Sequence, residues 1–333
     1  MKALQITGYG DVKNNLVFSE VEKPTVKDNQ VLIEIHSASV NPIDYKIIEG
    51  ILKQIRKLTF PCPIGFDVAG IVVERGSNVT HLKVGDEVYS RVPSESPGTF
   101  AEYIAVDSDV VCLKPSNLNF SESASLPLVG LTTIQSFDKA SLKSGNKVLI
   151  HAGSGGIGTF AIQYAKSKGA YVYTTTSTKN VEWVKELGAD RVIDYKTENY
   201  LNIVNNIDIV YETLGGNYTI DAFKVIKNGG KVVSLIGNVD KETARELELN
   251  RVFRSILALK RMKITRQIKH KSAYYKLILM NSNGTQLNEI KKLVEDKLIK
   301  PVIDKEFSFS ESIDALLYQK SGRAKGKIII KIK

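Results

Sequence analysis

Six consecutive residues, Gly153-Ser154-Gly155-Gly156-Ile157-Gly158, have the types and spacing to hold a phosphorylated ligand. Gly153, Gly155 and Gly158 fit the pattern G-x-G-x-x-G, and Gly156 is an additional glycine. The first glycine lets the chain turn, the second lets phosphates approach the backbone, and the third lets a helix pack on a strand. Backbone N–H groups and the positive end of a helix then face a pyrophosphate. Such a turn can also do no more than reverse the chain, so its flanks decide between the two readings.

Those flanks are an apolar run before the turn and a helical pattern after it. Val148-Leu149-Ile150 reads as a strand, and Ile157, Ala161, Tyr164 and Ala165 fall on one helical face. Further strands are expected at Tyr171-Val172-Tyr173, Arg191-Val192-Ile193, Ile207 to Val210 and Lys231 to Ile236. Between them, Val181-Val184-Leu187 and Ala222-Phe223-Ile226 have helical spacing. Gly169, Gly188 and Gly229-Gly230 stand where helices should end. This alternation predicts an α/β fold with a doubly wound parallel sheet, and hence a dinucleotide site.

The second strand of such a site selects the dinucleotide. NAD sites carry an acid about 20 residues past the glycines, which holds the ribose hydroxyls. Here the strand end reads Thr174-Thr175-Thr176-Ser177-Thr178-Lys179-Asn180, without an acid. Hydroxyls and a lysine at a helix start attract a 2′-phosphate, which a carboxylate would repel. The reading is NADP(H), with Ser177 and Lys179 on the 2′-phosphate; Ser177 or Thr178 can also serve as a helix N-cap.

Composition bounds the rest. The chain has 333 residues, 43% hydrophobic and 25% charged, enough for two domains of an ordinary globular protein. No apolar run approaches the roughly 18 residues of a membrane span, and no membrane partner is expected. The start, MKALQITGYG, lacks a secretory apolar region and reads as a strand. Two cysteines, Cys62 and Cys112, make no disulfide framework, so a cytoplasmic location is expected. The net charge of +10 raises the question of nucleic acid. Its densest source, Lys260 to Lys271, lacks interleaved aromatics and any recognition motif. It reads as a solvated basic face, and nucleic acid is not expected.

Outside the glycine-turn region, short strands dominate the first 120 or so residues: Lys2 to Thr7, Val31 to His36, Val68 to Val73, Glu87 to Ser90 and Tyr103 to Val106. Turn residues such as Lys27-Asp28-Asn29, Gly76-Ser77-Asn78 and Val84-Gly85-Asp86 separate them. Ile51 to Phe60 is an apolar and basic insertion, and Ser121 to Lys139 is helical with an interruption at Pro127. Late in the chain a strand is expected around Met262 to Ile268. An amphipathic helix carrying Leu287, Ile290, Leu293, Val294 and Leu298 follows, then a final strand at Lys327 to Ile332. That last strand suggests a return to the first domain.

The motifs SVNPIDYKI (39–47), GFDVAGIVV (65–73), VGDEVY (84–89), GTFAEY (98–103), LPLVGLTT (126–133), LGADRVIDYKTE (187–198) and GRAKGKIII (322–330) flank the glycine turn in order. With them the chain resembles the medium-chain dehydrogenase/reductase superfamily, in its zinc-free quinone oxidoreductase and enone (alkenal) reductase branch. The resemblance implies a GroES-like, mostly β domain over 1–121 and 280–333, and a Rossmann NADP-binding domain over 122–279. It implies an active site in the cleft between them. It also implies a homodimer built through nucleotide-domain edge strands, with the stretch around Met262 to Ile268 as that edge.

Zinc-dependent relatives hold the metal with cysteine and histidine, and catalytic zinc needs about three such ligands. Asn41-Pro42-Ile43-Asp44 has no cysteine, Phe66 stands where those relatives carry a ligand histidine, and there is no cysteine cluster. His36, His81, His151 and His270 have no ligand spacing; His36 and His151 read as satisfied core or surface histidines. Without a Lewis acid, simple alcohol oxidation loses its means of activating the hydroxyl. Quinones and α,β-unsaturated carbonyls need none, because conjugation carries the incoming charge onto an oxygen.

The matched motifs suggest the site residues. Asn41 would line the cleft and bond substrate or ribose, and Tyr45 would partner the oxygen or donate a proton. Tyr45 can equally be a packed aromatic. Thr132 would meet the nicotinamide side. Tyr195 would lie along the adenosine; alternatively it is a strand-end core tyrosine. Leu214 and Ile236 stand in loops at the carboxyl edge of the sheet, where such sheets bind ligand. Arg323 and Lys327 would reach the cofactor, or else are solvated charges. Two other readings share the fold. One is an enoyl-thioester reductase using Tyr45, with Arg56, Lys57 and the Lys260–Lys271 stretch guiding a carrier phosphate. The other is a non-catalytic protein that binds nucleic acid or a partner.

Overall fold

A computed structural model describes residues 1–51, 53 and 57–333. Arg56 and the middle of the 51–60 insertion lie outside the described residues. The chain forms two compact units, one of Met1–Leu131 with Asn281–Lys333 and one of Thr132–Met280.

The elements run in order as follows. Strands β1 (Lys2–Ile6), β2 (Leu16–Glu20) and β3 (Gln30–Val40) lead to helix α1 (Pro42–Ile48). Strands β4 (Cys62–Pro63), β5 (Asp67–Arg75), β6 (Glu87–Arg91), β7 (Tyr103–Asp107) and β8 (Val111–Leu113) come next. Helices α2 (Phe120–Ala124) and α3 (Pro127–Ala140) follow. Then come β9 (Lys147–Ile150), α4 (Gly156–Ser167), β10 (Tyr171–Thr176), α5 (Val181–Lys185), β11 (Arg191–Asp194) and β12 (Ile207–Glu212). After these stand α6 (Asn217–Val225), β13 (Ile226–Ser234), α7 (Thr243–Glu246), α8 (Arg251–Lys260), α9 (Met262–Lys271) and β14 (Tyr274–Leu277). Helix α10 (Gly284–Glu295), β15 (Ile303–Ser308), α11 (Ser312–Lys320) and β16 (Lys327–Lys331) close the chain.

In the first unit, the long strand β3 is the hub. It pairs antiparallel with β16, β5 and β7 in a sheet ordered β15-β16-β3-β5-β6-β8. Val31, Ile33 and Ile35 on β3 are fully buried with Val68 and Val72 of β5 and Ile328 and Ile330 of β16. The return of the chain to this unit at its end is therefore a strand pairing: Ile329 lies opposite Ser39 and Ile330 opposite Ala38. Gly65 sets the entry to β5. Its φ is +96°, and a Cβ there would stand 2.4 Å from the Thr99 hydroxyl and 2.6 Å from the Phe100 ring. Pro127 interrupts the helical stretch as expected, and it does so at the start of α3, where a missing N–H costs nothing.

The second unit is a parallel sheet ordered β11-β10-β9-β12-β13-β14. Strands β10 and β12 flank β9, so the order reverses beside β9. The carboxyl ends of β9 and β12 thus form the switch point at which such sheets bind ligand. Leu149, Val210, Val232 and Phe223 lie at the centre of the core.

Several expectations need correction. Met262 to Ile268 is not a strand but the body of α9. Ile264 and Ile268 are one helical turn apart and pack into the core of the second unit. The apolar alternation at Met262 and Ile264 imitates a strand, and no turn residue breaks the helical run. The outer strand of the sheet is instead β14. Gly229 and Gly230 do not end a helix. Helix α6 stops at Val225, and both glycines fall inside β13, whose register with β12 shifts between Ile207 and Ile209. Leu298 lies beyond α10, which ends at Glu295. Strands β2, β4, β8 and β15 were not anticipated, because short and partly exposed strands carry little periodicity, and neither was β14, whose four residues are too few to show any.

Candidate functional site

The second unit carries the expected phosphate turn. Helix α4 starts at Gly156, with Gly155 as its N-cap, directly after β9. The three glycines meet different surroundings. A Cβ on Gly153 would lie 2.2 Å from the Thr174 hydroxyl, and one on Gly158 would lie 2.3 Å from the Ala152 carbonyl oxygen. One on Gly155 would meet only that same oxygen, at 3.4 Å. The outer glycines are thus demanded by packing, whereas Gly155 faces open space, as approach of a pyrophosphate requires. Ala152 holds the left-handed φ of +54° that starts the turn.

Thr175 anchors this turn to β10. Its carbonyl accepts the Gly153 N–H at 2.9 Å and its hydroxyl accepts the Ala152 N–H at 3.3 Å. That hydroxyl also lies 3.2 Å from Nδ1 of His151. His151 is fully buried, with Tyr200 and Tyr218 edge-on to its ring at 4.9 and 5.2 Å. Burial pushes its pKa down to about 4. Its Nε2 has no partner, so only half of the ring is satisfied, against the expectation of a satisfied core histidine. His36 likewise leaves Nε2 without a hydrogen bond.

Asn180 ties the turn to the end of β10. Its side-chain amide donates to Ser154 Oγ at 3.2 Å and to Ser177 Oγ at 3.1 Å. Its own oxygen accepts the Trp183 indole N–H at 3.3 Å. Ser177 occupies the N-cap position of a short 3-10 turn, but its side chain makes no cap bond. Lys179 is exposed and makes no ion pair among the described residues. Asp194 ends the neighbouring strand β11. It accepts a hydrogen bond from Thr178, which first of all holds its pKa below the ordinary carboxylate value. Tyr195 is 51% exposed rather than a core tyrosine, and the Lys196 ammonium stands 5.2 Å over its ring.

At the switch point, the fully buried Glu212 organises the loop after β12. It accepts the N–H groups of Leu214 at 2.6 Å and Gly215 at 2.5 Å, and the hydroxyls of Thr219 at 2.8 Å and Ser234 at 2.6 Å. Thr213 bonds across to the His151 carbonyl at 3.1 Å. Leu214 and Ile236 are left exposed at the carboxyl edge. Thr132 is buried in α3. Neither Glu212 nor Asn180 was singled out from the sequence. A glutamate ending an apolar strand and an Asn three residues after a serine were the available signals.

The first unit holds the Asn41 motif, and there the chemistry is a buried charge network. Asn41 is 1% exposed. Its amide nitrogen donates to Asp67 Oδ2 at 2.9 Å, and its oxygen accepts the Lys327 ammonium. Asp67 also accepts the Ser39 hydroxyl at 2.7 Å and the Leu128 N–H at 2.9 Å. Lys327 lies 3.5 Å from Asp67 and is itself buried, so burial lowers its pKa. Of its two sequence readings, that of a solvated charge fails: β16 delivers the side chain into the interior opposite β3. Arg323 is exposed. Asp44 caps α1 by accepting the Asn41 N–H at 2.6 Å, while its Oδ1 has no partner. Burial, opposed by that bond, raises its pKa to about 7.

Helix α1 presents two further groups. Tyr45 packs partly against the core of its unit, and burial raises its pKa. Lys46 is half-buried with a pKa lowered by burial, and makes no hydrogen bond or ion pair through its ammonium among the described residues. Its place in the Asn41 motif gives no sign of this burial, because lysine on a helix ordinarily reads as solvated. Phe66 is buried under the Arg91 guanidinium, 4.9 Å from its ring. Among the described residues, no three His, Cys, Asp or Glu side chains are grouped to hold a metal. No described helix is long and apolar enough to cross a membrane.

Two family models match: an alcohol dehydrogenase GroES-like domain over residues 27–116 and a zinc-binding dehydrogenase over residues 187–330. A 2-methylene-furan-3-one reductase of Solanum lycopersicum is 37% identical, over 99% of this chain and 79% of its own. A chloroplastic NADPH-dependent alkenal/one oxidoreductase of Arabidopsis thaliana is 34% identical over the same shares of the two chains. The solved quinone oxidoreductase from Coxiella burnetii superposes with a TM-score of 0.86 at 33% identity, covering 100% of this chain and 99% of that one.

Proposed function

The chain belongs to the medium-chain dehydrogenase/reductase superfamily, in its quinone oxidoreductase and enone reductase branch, and from that premise we propose an NADPH-dependent reductase of quinones or α,β-unsaturated carbonyls that works without zinc. The observation that carries the cofactor reading is the pairing of an open Gly155 with an unpaired Lys179 at the end of β10. NADPH, when bound, supplies a hydride. The residues of the turn, Gly153, Ser154, Gly155, Gly156, Ile157 and Gly158, hold its pyrophosphate with backbone N–H groups and the positive end of α4. Lys179 and Ser177 take the 2′-phosphate, with Asn180 fixing Ser177 relative to Ser154. Tyr195 lies along the adenosine. Leu214, Ile236 and Thr132 border the nicotinamide end.

On the acceptor side, the chain must stabilise charge that develops on a carbonyl oxygen and deliver a proton. We assign both tasks to Lys46, whose half-buried ammonium on α1 has no partner among the described residues and whose pKa burial lowers. Tyr45, the neighbouring candidate, keeps its proton more tightly for the same reason. Asn41 positions rather than reacts, since both ends of its amide are held by Asp67 and Lys327. The names of the two plant relatives favour an activated alkene as the first acceptor to try. The ligand set for zinc is replaced by residues such as Phe66, so the chemistry rests on the conjugated acceptor. We place the protein in the cytosol, because two cysteines make no disulfide framework, and as a homodimer joined through the outer edge of β14.

The test is cofactor selectivity. Lys179→Ala should raise the KM for NADPH about 10-fold or more, the value of a lost charge-assisted bond, and leave that for NADH unchanged. An equal effect on both cofactors would remove the 2′-phosphate assignment.

A further inference from the structure

Helices α8 and α9 form a surface that the reductase reading does not use. None of the ten residues of α8 is buried. Val252, Ile256 and Leu259 repeat at i, i+4 and i+7 and so form one stripe, which Phe253 extends; Met262, at the start of α9, is exposed as well. Their exposures are 69%, 44%, 68%, 49% and 59% respectively, whereas an apolar stripe ordinarily faces a core. Only Leu257 of α8 is even half-buried. Helix α9 supplies the anchorage instead, through Ile264 and Ile268.

The charge around the stripe has one sign. From Asn250 to Ser272 there is no acidic residue, while Arg251, Arg254, Lys260, Arg261, Lys263, Arg266, Lys269 and Lys271 are all basic. Arg254 lies on the face of α8 opposite the stripe and Arg251 on its flank, and Lys263, Arg266 and Lys269 are exposed on α9. A solvated basic face explains the charge but not five large exposed apolar side chains. Nucleic acid would be drawn by the charge and offers nothing to Val252, Ile256 and Leu259. A second copy of this chain would bring two such basic sets together. An anionic bilayer satisfies both features: its headgroups neutralise the lysines and arginines, and its acyl boundary takes the apolar stripe.

We propose that α8 is an interfacial helix with which the protein docks reversibly on a membrane surface rich in anionic phospholipid. The docking is peripheral, with α8 lying in the headgroup plane. The full-length protein would be sedimented with vesicles of phosphatidylcholine alone and with phosphatidylcholine containing phosphatidylglycerol. Binding should need the anionic lipid and should fall about 10-fold or more between about 0.1 and about 0.5 M NaCl, as the Debye length contracts. Phe253→Ser with Leu259→Ser should lose most of it, and so should Arg254→Glu with Lys260→Glu. All these side chains are exposed, so unchanged melting is expected of both variants. Binding that is equal on neutral vesicles, or absent from anionic ones, overturns the proposal. So does binding that survives the apolar substitutions and is competed off by RNA, which would make the surface a nucleic-acid site. Conversion of a dimer to a monomer by the apolar substitutions would make it a self-interface and overturn it equally.

Discussion

Lys327 shows how much a single buried charge can depend on its neighbours. Its ammonium is held by Asn41 and Asp67 inside the first unit, with the Val40 carbonyl at 3.4 Å. Removing one partner of such a pair leaves the other charge uncompensated, at about 3–5 kcal/mol. Lys327→Met should therefore lower stability by about that amount, read by denaturant unfolding, and Lys327→Met with Asp67→Asn should recover part of it. A loss under about 1 kcal/mol, the value of a surface pair, would contradict the burial. Two other buried groups give opposite pH slopes. Asp44 has a folded pKa raised to about 7, so the folded chain keeps a proton that the unfolded chain releases near 3.8. Its contribution is favourable at low pH and declines as pH rises through about 7. His151 has a folded pKa lowered to about 4, so the unfolded chain binds its proton first. Stability is lost as pH falls from 6.5 towards about 4, by up to roughly 3 kcal/mol at 1.36 kcal/mol per unit. Asp44→Asn should steepen the rise in unfolding midpoint of the first unit from about pH 5 to about pH 7, and His151→Gln should flatten that of the second. Unchanged pH profiles in both variants would show that neither group is perturbed.

Among the elements, the turn between β9 and α4 was legible from its glycines, and so was the alternation of strands and helices around it. Periodicity worked there because each strand is buried on both faces and each helix on one. It failed at α9, where Met262 and Ile264 imitate a strand, and at the exposed strands β2 and β15, which have no clean alternation. The buried network around Asn41 was half legible. Asn41 and Lys327 stood in recognisable motifs, but their meeting depends on β16 pairing with β3 across nearly the whole chain, which no local pattern reports. Asp67, a carboxylate beginning an apolar strand, was the partner that sequence reasoning did not name, and the run of isoleucines after Lys327 was the sign of its burial. The turn gives a sharp prediction at this scale. Gly158→Ala would place a Cβ 2.3 Å from the Ala152 carbonyl oxygen, so α4 must shift from β9. NADPH binding should weaken at least 10-fold, by about 1.4 kcal/mol or more, in a fluorescence titration. Gly155→Ala meets little protein, so it should keep the melting temperature while still weakening NADPH. If Gly155→Ala left NADPH affinity unchanged, the phosphate site would lie elsewhere.

For the whole molecule, the sheet of the second unit ends at β14, whose outer edge has no partner within the described chain. An unpaired edge is commonly joined to another strand, and light scattering should give the mass of two chains. A single-chain mass at working concentration would remove that edge as the joining surface. The functional account stands on the direct transfer of hydride to a conjugated acceptor, without a metal. The measurement that tests it most directly follows loss of reduced-nicotinamide absorbance with NADPH and with NADH, in the presence of EDTA. A short alkenal or enone is offered first, then phenanthrenequinone. The account predicts rapid oxidation of NADPH, slower oxidation of NADH, and no loss of rate to the chelator. Abolition of turnover by EDTA, or NADPH binding without oxidation by either acceptor, would contradict it.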